Sequence, residues 1–467
     1  MKNYDLVILG GGAAGFAAAT VADGLDADTA MINSGLPLGG TCVNVGCVPT
    51  KHLLAVAESL YQAQNPRFDA LGIPPPSFDF SRAVADKDRL IETLRGTNYD
   101  DVLGVMPRVD LFSGEGRFVS PHEIEVGGER IIGERFLIAT GASPRVPSFP
   151  GIDTVGYLTN REALFLARLP KSLIVIGAGP LGLEFAQMFS RFGGDVTVLT
   201  HGERILSREE PQISSALASY LEEEGIAIHK RVEVNSLRDD NGMKKVGATI
   251  DGEKLTFTAE ELLVAVGVRA NTGSLGLAQA GVEIKENGDI LVDDRLQTSA
   301  DHIYAAGDVI GPPHLETVAA KEGHVAASNA LGAGSETIDY NVIPHAVFTS
   351  PQVASVGMTE EAYMSVYNVC ACRTVEMRYV PKARAINDTR GLIKMTIDPN
   401  TTRIVGVHIL APLAVEMIHE AVLAVKSEMT IDELIDTVHV FPTFSEAIKM
   451  AAQAFRRDIT KMSCCVE

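Results

Sequence analysis

The sequence predicts an α/β chain of two nested Rossmann-like dinucleotide-binding domains closed by an α+β domain. Three observations predict it. A short apolar strand runs into G-x-G-x-x-G and an apolar helix twice, after residues 6–9 and again after residues 173–176. A strand-to-turn stretch ending in Gly307-Asp308 returns well after the second copy. Beyond about residue 336 the texture changes to isolated strands and two helical patterns.

The first copy carries Gly10, Gly12, Ala14 and Gly15; the second carries Gly177, Gly179 and Gly182. The first two glycines of each set allow a tight turn and close approach of a pyrophosphate. The third lets helix pack on strand, and the helix N-terminus faces the phosphates. One such motif alone is a weak signal, whereas two in strand–turn–helix context within one chain form a strong one. Residues 136–140 read as a further strand ending at Thr140-Gly141. The simplest layout splits the first domain over residues 1–143 and 271–336 and inserts the second at 144–270. In the closing domain, residues 337–467, strands are expected at 342–349, 392–397 and 406–410 and helices at 414–427 and 445–457. The proline run from Pro74 reads as a loop.

Length and composition agree. A chain of 467 residues carries a prior of about three domains. Hydrophobic residues at 46% suffice for large cores. A net charge of -20 repels phosphate backbones and argues against nucleic-acid binding. The N-terminus shows no signal-peptide order, and no uninterrupted apolar run reaches spanning length, so a cytoplasmic protein without membrane insertion is expected.

Six cysteines, at 42, 47, 370, 372, 464 and 465, suggest catalysis or metal handling rather than a disulfide scaffold. Cys42 and Cys47 lie in G-G-T-C-V-N-V-G-C-V-P-T-K, which begins at Gly39 and ends at Lys51. The second cysteine enters a helix. Such a pair can close a small disulfide loop, and the helix N-terminus is expected to lower the thiol pKa.

That motif, the paired fingerprints, A-T-G at residues 139–141 and Gly307-Asp308 together resemble the pyridine nucleotide-disulfide oxidoreductases over essentially the whole chain. The resemblance implies FAD at the first fingerprint, NAD(P)H at the second and a homodimer through the last domain, with the active site shared between subunits. It places Gly10, Gly12, Ala14, Gly15, Gly40, Thr41, Thr140, Gly141, Gly307 and Asp308 around FAD. Gly177, Gly179, Gly182 and Gly267 then surround the nicotinamide dinucleotide. Cys47 becomes the flavin-proximal, charge-transfer sulfur and Cys42 the interchange sulfur, with Lys51 paired to Glu184 beside the flavin. Asn33 stands where the family usually places a carboxylate on the adenosine ribose, and an amide still hydrogen-bonds hydroxyls. After the strand at 196–199 come Thr200, His201 and Arg204 in place of the acidic residue of an NAD enzyme, which points to NADPH over NADH.

The chain ends with adjacent Cys464 and Cys465. Paired thiolates suit soft ions, and this ending resembles the tails of mercuric reductases within the family. The implied substrate is Hg(II) arriving as a thiol complex. It would be taken up on Cys464 and Cys465 of the partner subunit and passed to Cys42 and Cys47, the four cysteines being the metal ligands. Near the end, Phe441 precedes Pro442 where disulfide reductases place a general acid/base histidine, while Glu446 is retained and His439 lies two residues off. A missing proton shuttle costs thiol–disulfide exchange roughly 10²- to 10⁴-fold, whereas metal reduction needs no protonated thiol leaving group. Tyr157 matches a tyrosine near the metal path of mercuric reductases. Cys370 and Cys372 read as structural, on one face of a strand. The competing expectations are a disulfide reductase of the lipoamide dehydrogenase or glutathione reductase type, and a non-catalytic flavoprotein that binds soft metals.

Overall fold

The computed structural model describes residues 2–72, 74, 76–369 and 371–459; Cys370, Cys464 and Cys465 lie outside the described residues. The first fingerprint hangs from a seven-stranded sheet. Its central strand Asn3–Leu9 lies parallel between Thr29–Asn33 and Glu129–Ile138. Leu6, Val7, Ile8 and Leu9 are all buried, as a parallel strand covered on both faces requires. Val109–Ser113 extends one edge, and the antiparallel strands Arg117–Ser120 and Glu123–Val126 the other.

The stretch around residue 303 returns to this sheet. Ile303–Ala305 pairs parallel with Glu129–Ile138, setting Ile303 opposite Phe136. The helix Glu316–Ala330 then packs on the fingerprint helix Ala13–Gly24. Contact is close because Gly323 has no side chain: a Cβ there would stand 2.0 Å from the Ala14 carbonyl oxygen.

The second fingerprint hangs from a parallel sheet ordered Ala227–His229, Asp195–Leu199, Ser172–Ile176, Glu261–Val264. Beside it lies an antiparallel meander of Val232–Asp240, Met243–Ile250 and Glu253–Ala259. Ala142–Pro144 pairs antiparallel with Val268–Ala270, so the chain enters and leaves this stretch through a two-stranded neck.

The last part is a five-stranded antiparallel sheet ordered His345–Val347, Gln352–Gly357, Ile404–Ala411, Leu392–Ile397, Ala371–Glu376. Two expectations need trimming. The strand expected over 342–349 is only His345–Val347, preceded by a 3₁₀ turn at Tyr340–Val342 and by Pro344, which has no N–H to donate. The helix expected over 445–457 runs Glu446–Gln453, beyond which the Phe455 and Arg456 N–H groups bond carbonyls three residues back in tighter turns. The other helix, Ala414–Lys426, matches. Cys372 does lie on a strand.

Charged and polar groups weld this sheet to the unit that carries the second fingerprint. Lys394, almost wholly buried, donates to Glu210 at 2.7 Å and Glu360 at 2.6 Å. Buried Glu209 accepts from His345 and, at 2.6 Å, from the Ser355 hydroxyl. Gln187 exchanges two 2.8 Å hydrogen bonds with the Ser350 backbone. Among the described residues, no helix is long and apolar enough to cross a membrane.

Candidate active site

A cavity of about 460 Å³ opens at the first fingerprint. Gly10, Gly12, Ala14, Asn33, Gly40, Thr41, Thr140, Gly141, Gly307 and Asp308 line it, and so do Cys42 and Cys47. Its floor is a cradle that side chains would fill. A Cβ on Gly10 would stand 2.1 Å from the Ala139 carbonyl, and one on Gly15 would stand 1.9 Å from that of Gly10. The helix Ala13–Gly24 begins at Gly12 with no side-chain cap. Its first N–H groups are therefore free to bind an anion. Open backbone and uncapped helix dipole fit a dinucleotide pyrophosphate. Because the Gly15 clash is with backbone, Gly15→Val is expected to give protein without bound flavin. The ratio of flavin to protein absorbance after purification checks this, and near-stoichiometric flavin in the variant would count against the cradle.

The loop around Asp308 is held from beneath. Buried Glu322 accepts the Gly307 N–H at 2.7 Å and the Tyr340 hydroxyl at 2.8 Å. Burial pushes the Asp308 carboxyl up, against the pull of His314. Asn33 lines the cavity, with its amide engaged on the Gly11 N–H at 3.2 Å and the Leu36 carbonyl at 3.0 Å.

Cys42 lies in the short helix Gly40–Val45, and Cys47 opens the helix Cys47–Gln64 after Gly46. Both stand as free thiols. One expectation is overturned here: the Cys47 thiol is raised, not lowered. Its side chain opens onto the cavity, yet the protein packed around it penalises the thiolate by more than Lys51 favours it.

One helical turn further, Lys51 donates to Glu184 at 2.8 Å. Glu184 is buried on the second fingerprint helix, Pro180–Phe192, so this pair bridges the two fingerprint units. Residue identity alone conceals a third member. The Phe348 N–H donates to Glu184 at 2.9 Å, and its ring lies 4.3 Å from the Lys51 ammonium. Glu316 and His314 also line the cavity, unforeseen from the sequence. The Cys42 and Cys47 sulfurs and a Glu316 carboxylate oxygen all lie within 4.8 Å of one another.

At the second fingerprint, a Cβ on Gly177 would stand 2.2 Å from the Ala265 carbonyl, and one on Gly182 would stand 2.2 Å from that of Gly177. Gly179 caps its helix without a side-chain bond, and Gly267 adopts a left-handed φ of 103°. This repeats the geometry of the first cradle and fits a second dinucleotide. Beyond it, the Thr200 hydroxyl accepts the Gly202 N–H at 3.3 Å and His201 is exposed. Arg204 donates to the Ser207 carbonyl at 2.9 Å, while its Nε is buried with no hydrogen-bond partner among the described residues.

Four further positions from the sequence lie outside the lining of the first cavity: Tyr157, His439, Phe441 and Glu446. Tyr157 is not among the cavity-lining residues; it packs against the core formed by Ile152, Val155 and the inner face of the second sheet. His439 is tied to Glu420 at 2.6 Å and to the Thr437 carbonyl at 3.0 Å. Phe441 is half-exposed, and Glu446 accepts the Thr443 N–H at 3.2 Å.

Comparison with known proteins agrees with this architecture. The family model for pyridine nucleotide-disulphide oxidoreductase matches residues 4–323, and the model for the dimerisation domain of the same family matches residues 343–452. A mercuric reductase of Lysinibacillus sphaericus is 39% identical over 99% of this chain and 84% of its own length. One from Streptomyces lividans is 39% identical over 99% and 98%. Among solved structures, the HOCl-induced flavoprotein disulfide reductase RclA of Escherichia coli superposes with a TM-score of 0.86 at 31% identity, covering 96% of this chain and 99% of that one. The family works with a flavin and a pyridine nucleotide, which the two cradles suit. By its double fingerprint, its paired cysteines and these matches, the chain belongs to the pyridine nucleotide-disulphide oxidoreductase family.

Proposed function

We propose that this chain is a homodimeric, NADPH-dependent mercuric reductase that converts Hg(II) to Hg(0) at Cys42 and Cys47. The observation that carries the reading is the run of curated relatives bearing that name at 34–39% identity, each matching 98–99% of the chain. In this reading residues 1–143 and 271–336 bind FAD, 144–270 bind NADPH and 337–467 form the subunit interface. FAD, when bound, supplies the two electrons that NADPH brings.

The chain's own groups do the rest. Soft sulfurs at Cys42 and Cys47 displace the carrier thiols from Hg(II) one at a time. Lys51 donates to Glu184, which the Phe348 N–H holds in turn, and so keeps a fixed positive charge beside the flavin edge of the cavity. Phe441 supplies no proton, and His439 is committed to Glu420, so disulfide exchange lacks its shuttle while ligand exchange at a metal loses nothing. Cys464 and Cys465 of the partner subunit deliver the ion.

The test is mercury-dependent NADPH oxidation by the purified flavoprotein, with volatile metal trapped as product. A Cys464→Ala/Cys465→Ala variant is expected to lose most turnover on thiol-bound Hg(II), and full retention rules out the tail hand-over. The solved relatives named disulfide reductases favour a second reading. Brisk oxidation of NADPH by an organic disulfide, with none by Hg(II), selects it.

The preference for NADPH rests on Arg204, whose part-exposed guanidinium suits a 2'-phosphate. Arg204→Ala is expected to raise the KM for NADPH about tenfold, the worth of one charge-assisted hydrogen bond, and to leave that for NADH near its original value. An equal rise for both coenzymes would contradict the assignment.

A further inference from the structure

The loop between the two active-site cysteines is held by a residue from the unit that carries the second fingerprint. The helix Gly40–Val45 carries Cys42, and Gly46 alone separates it from Cys47. The last carbonyls of a helix have no partner within it. The Gly46 carbonyl finds one nearby, accepting the Thr50 hydroxyl at 2.6 Å. The Val45 carbonyl is met from 115 residues away, by the Asn160 side-chain amide at 2.7 Å. Asn160 and Val45 are both buried, and neither lines the cavity. The mount behind this amide is rigid. Asn160 opens the short helix Asn160–Ala163, which Thr159 and Glu162 close with a capping box. Just before it, Leu158 bridges to Leu263 of the second parallel sheet and donates its N–H to the Leu262 carbonyl at 2.7 Å. Just after it, the Phe165 ring lies 3.6 Å from the ammonium of Lys87, a wholly buried lysine of the helix Phe80–Arg95. Ala163 and Leu164 share a core with Leu53 and Ala57 of the helix that Cys47 opens.

We propose that Asn160 is a positioning residue for the cysteine pair: by holding the Val45 carbonyl it keeps the two sulfurs within bridging reach and favours the disulfide over the dithiol. In the dithiol the sulfurs already lie within 4.8 Å of each other. Closing the bridge turns two thiols into one S–S bond and passes two electrons and two protons to an acceptor, such as an external disulfide that becomes a dithiol. Closure also costs the freedom that the loop residues lose. A loop pinned at Val45 before closure has less freedom to lose. Without the Asn160 amide, the Val45 carbonyl is left buried and unpaired unless the loop moves to meet water. The dithiol then spreads over more arrangements and the bridge becomes harder to form. Because the amide comes from the second fingerprint unit, the spacing of the sulfurs is tied to the seating of that unit on the first. This role needs only a pair that cycles between dithiol and disulfide, so it stands or falls separately from the mercury reading.

The test is a thiol–disulfide titration of flavin-loaded dimer in a Cys464→Ala/Cys465→Ala background. Protein is equilibrated anaerobically with reduced and oxidised dithiothreitol in varied ratio and then alkylated. Mass spectrometry reads the bridged fraction of the peptide that spans Cys42 and Cys47. Asn160→Leu keeps the side-chain volume and Asn160→Ala avoids any clash; both remove the donor. In both, the equilibrium is expected to favour the disulfide about three- to tenfold less, the worth of one buried hydrogen bond. At roughly 30 mV per tenfold that is a potential about 15–30 mV less negative. Arg191→Leu, which breaks a buried tie to Glu58 further along the Cys47 helix, serves as the control for general loosening and should leave the equilibrium within about twofold of the parent. An unchanged equilibrium in both Asn160 variants, or one that favours the disulfide more, overturns the proposal. So does an equal shift in Arg191→Leu, or a parent whose two cysteines bridge in no buffer. Hg(II)-dependent NADPH oxidation is run on the unmodified enzyme in parallel. If that alone fails, the mercury reading falls while the role of Asn160 remains.

Discussion

Serine at either Cys42 or Cys47 is expected to lower Hg(II)-dependent NADPH oxidation by on the order of 10³-fold or more, as when one member of a cooperating catalytic unit is lost. The argument rests on the mercury assignment and on ligand exchange. One protein thiolate can capture Hg(II) from a carrier, but the second ligand then remains the carrier's own sulfur. Expelling it takes a second soft donor, and a serine oxygen is both hard and protonated at neutral pH. The two variants should differ in spectrum. Cys47→Ser removes the sulfur that opens the long helix beside Lys51, so long-wavelength charge-transfer absorbance should vanish on two-electron reduction. Cys42→Ser should keep that absorbance, because the sulfur nearer the flavin remains. Since burial raises the Cys47 thiol, the absorbance of Cys42→Ser should strengthen as pH rises toward and past the ordinary thiol range. Retention of more than a tenth of the parental rate by either serine variant, at equal flavin content, rejects the two-sulfur mechanism.

What the sequence reveals about this site follows from the kind of constraint each residue obeys. The glycine cradles are legible because backbone approach leaves no alternative: Gly10, Gly15, Gly177 and Gly182 each stand where a Cβ would overlap a carbonyl. The strands beneath them are legible as short, continuous apolar runs ending in those glycines. Lys51 and Glu184 are recoverable only through family resemblance, since 133 residues separate them along the chain. Phe348 escapes because its contribution includes a backbone N–H, which any residue but proline offers. Glu316 escapes because an acidic residue opening a helix looks like an ordinary partner of the helix dipole; only packing turns it toward the sulfurs. The direction of the Cys47 shift fails for a related reason. A motif announces the helix N-terminus, but desolvation is a property of everything packed around it.

Long-range charge pairing is the most thoroughly hidden feature, and Arg191 supplies the largest stability effect. Its guanidinium is buried, with a relative exposure of 4%. It meets Glu224 through two 2.9 Å hydrogen bonds, pairs with Glu58 and lies 4.3 Å from the Tyr61 ring. Arg390 approaches the same Glu224 at 3.0 Å. Glu58 and Tyr61 come from the Cys47–Gln64 helix, Glu224 follows Pro211–Glu223, and Arg191 also donates to the Ser350 carbonyl of the C-terminal domain at 3.4 Å, so one cation joins three parts of the chain. Arg191→Leu removes it and leaves two carboxylates, Glu224 still neutralised by Arg390 and Glu58 with only the Arg67 cation, at 4.0 Å, among the described residues. Breaking a buried pair from one side costs about 3–5 kcal/mol, and the surviving Arg390 contact favours the lower end. The flavin-loaded variant is therefore expected to melt several degrees lower. Arg191→Lys should recover only part of this, because an ammonium cannot reproduce the two-pronged contact with Glu224. The deficit should also depend on pH. Burial pushes the Glu58 carboxyl up, but Arg191 and neighbouring hydrogen bonds outweigh it and hold the folded-state value below the ordinary one. Its stabilising contribution is then complete above the ordinary carboxylate range and lost as pH falls through the depressed value. The gap between parent and Arg191→Leu should therefore be widest near neutrality and narrow on acidification. A gap that widens toward low pH, or a melting temperature within about a degree of the parent at neutral pH, contradicts a structural role for this cation.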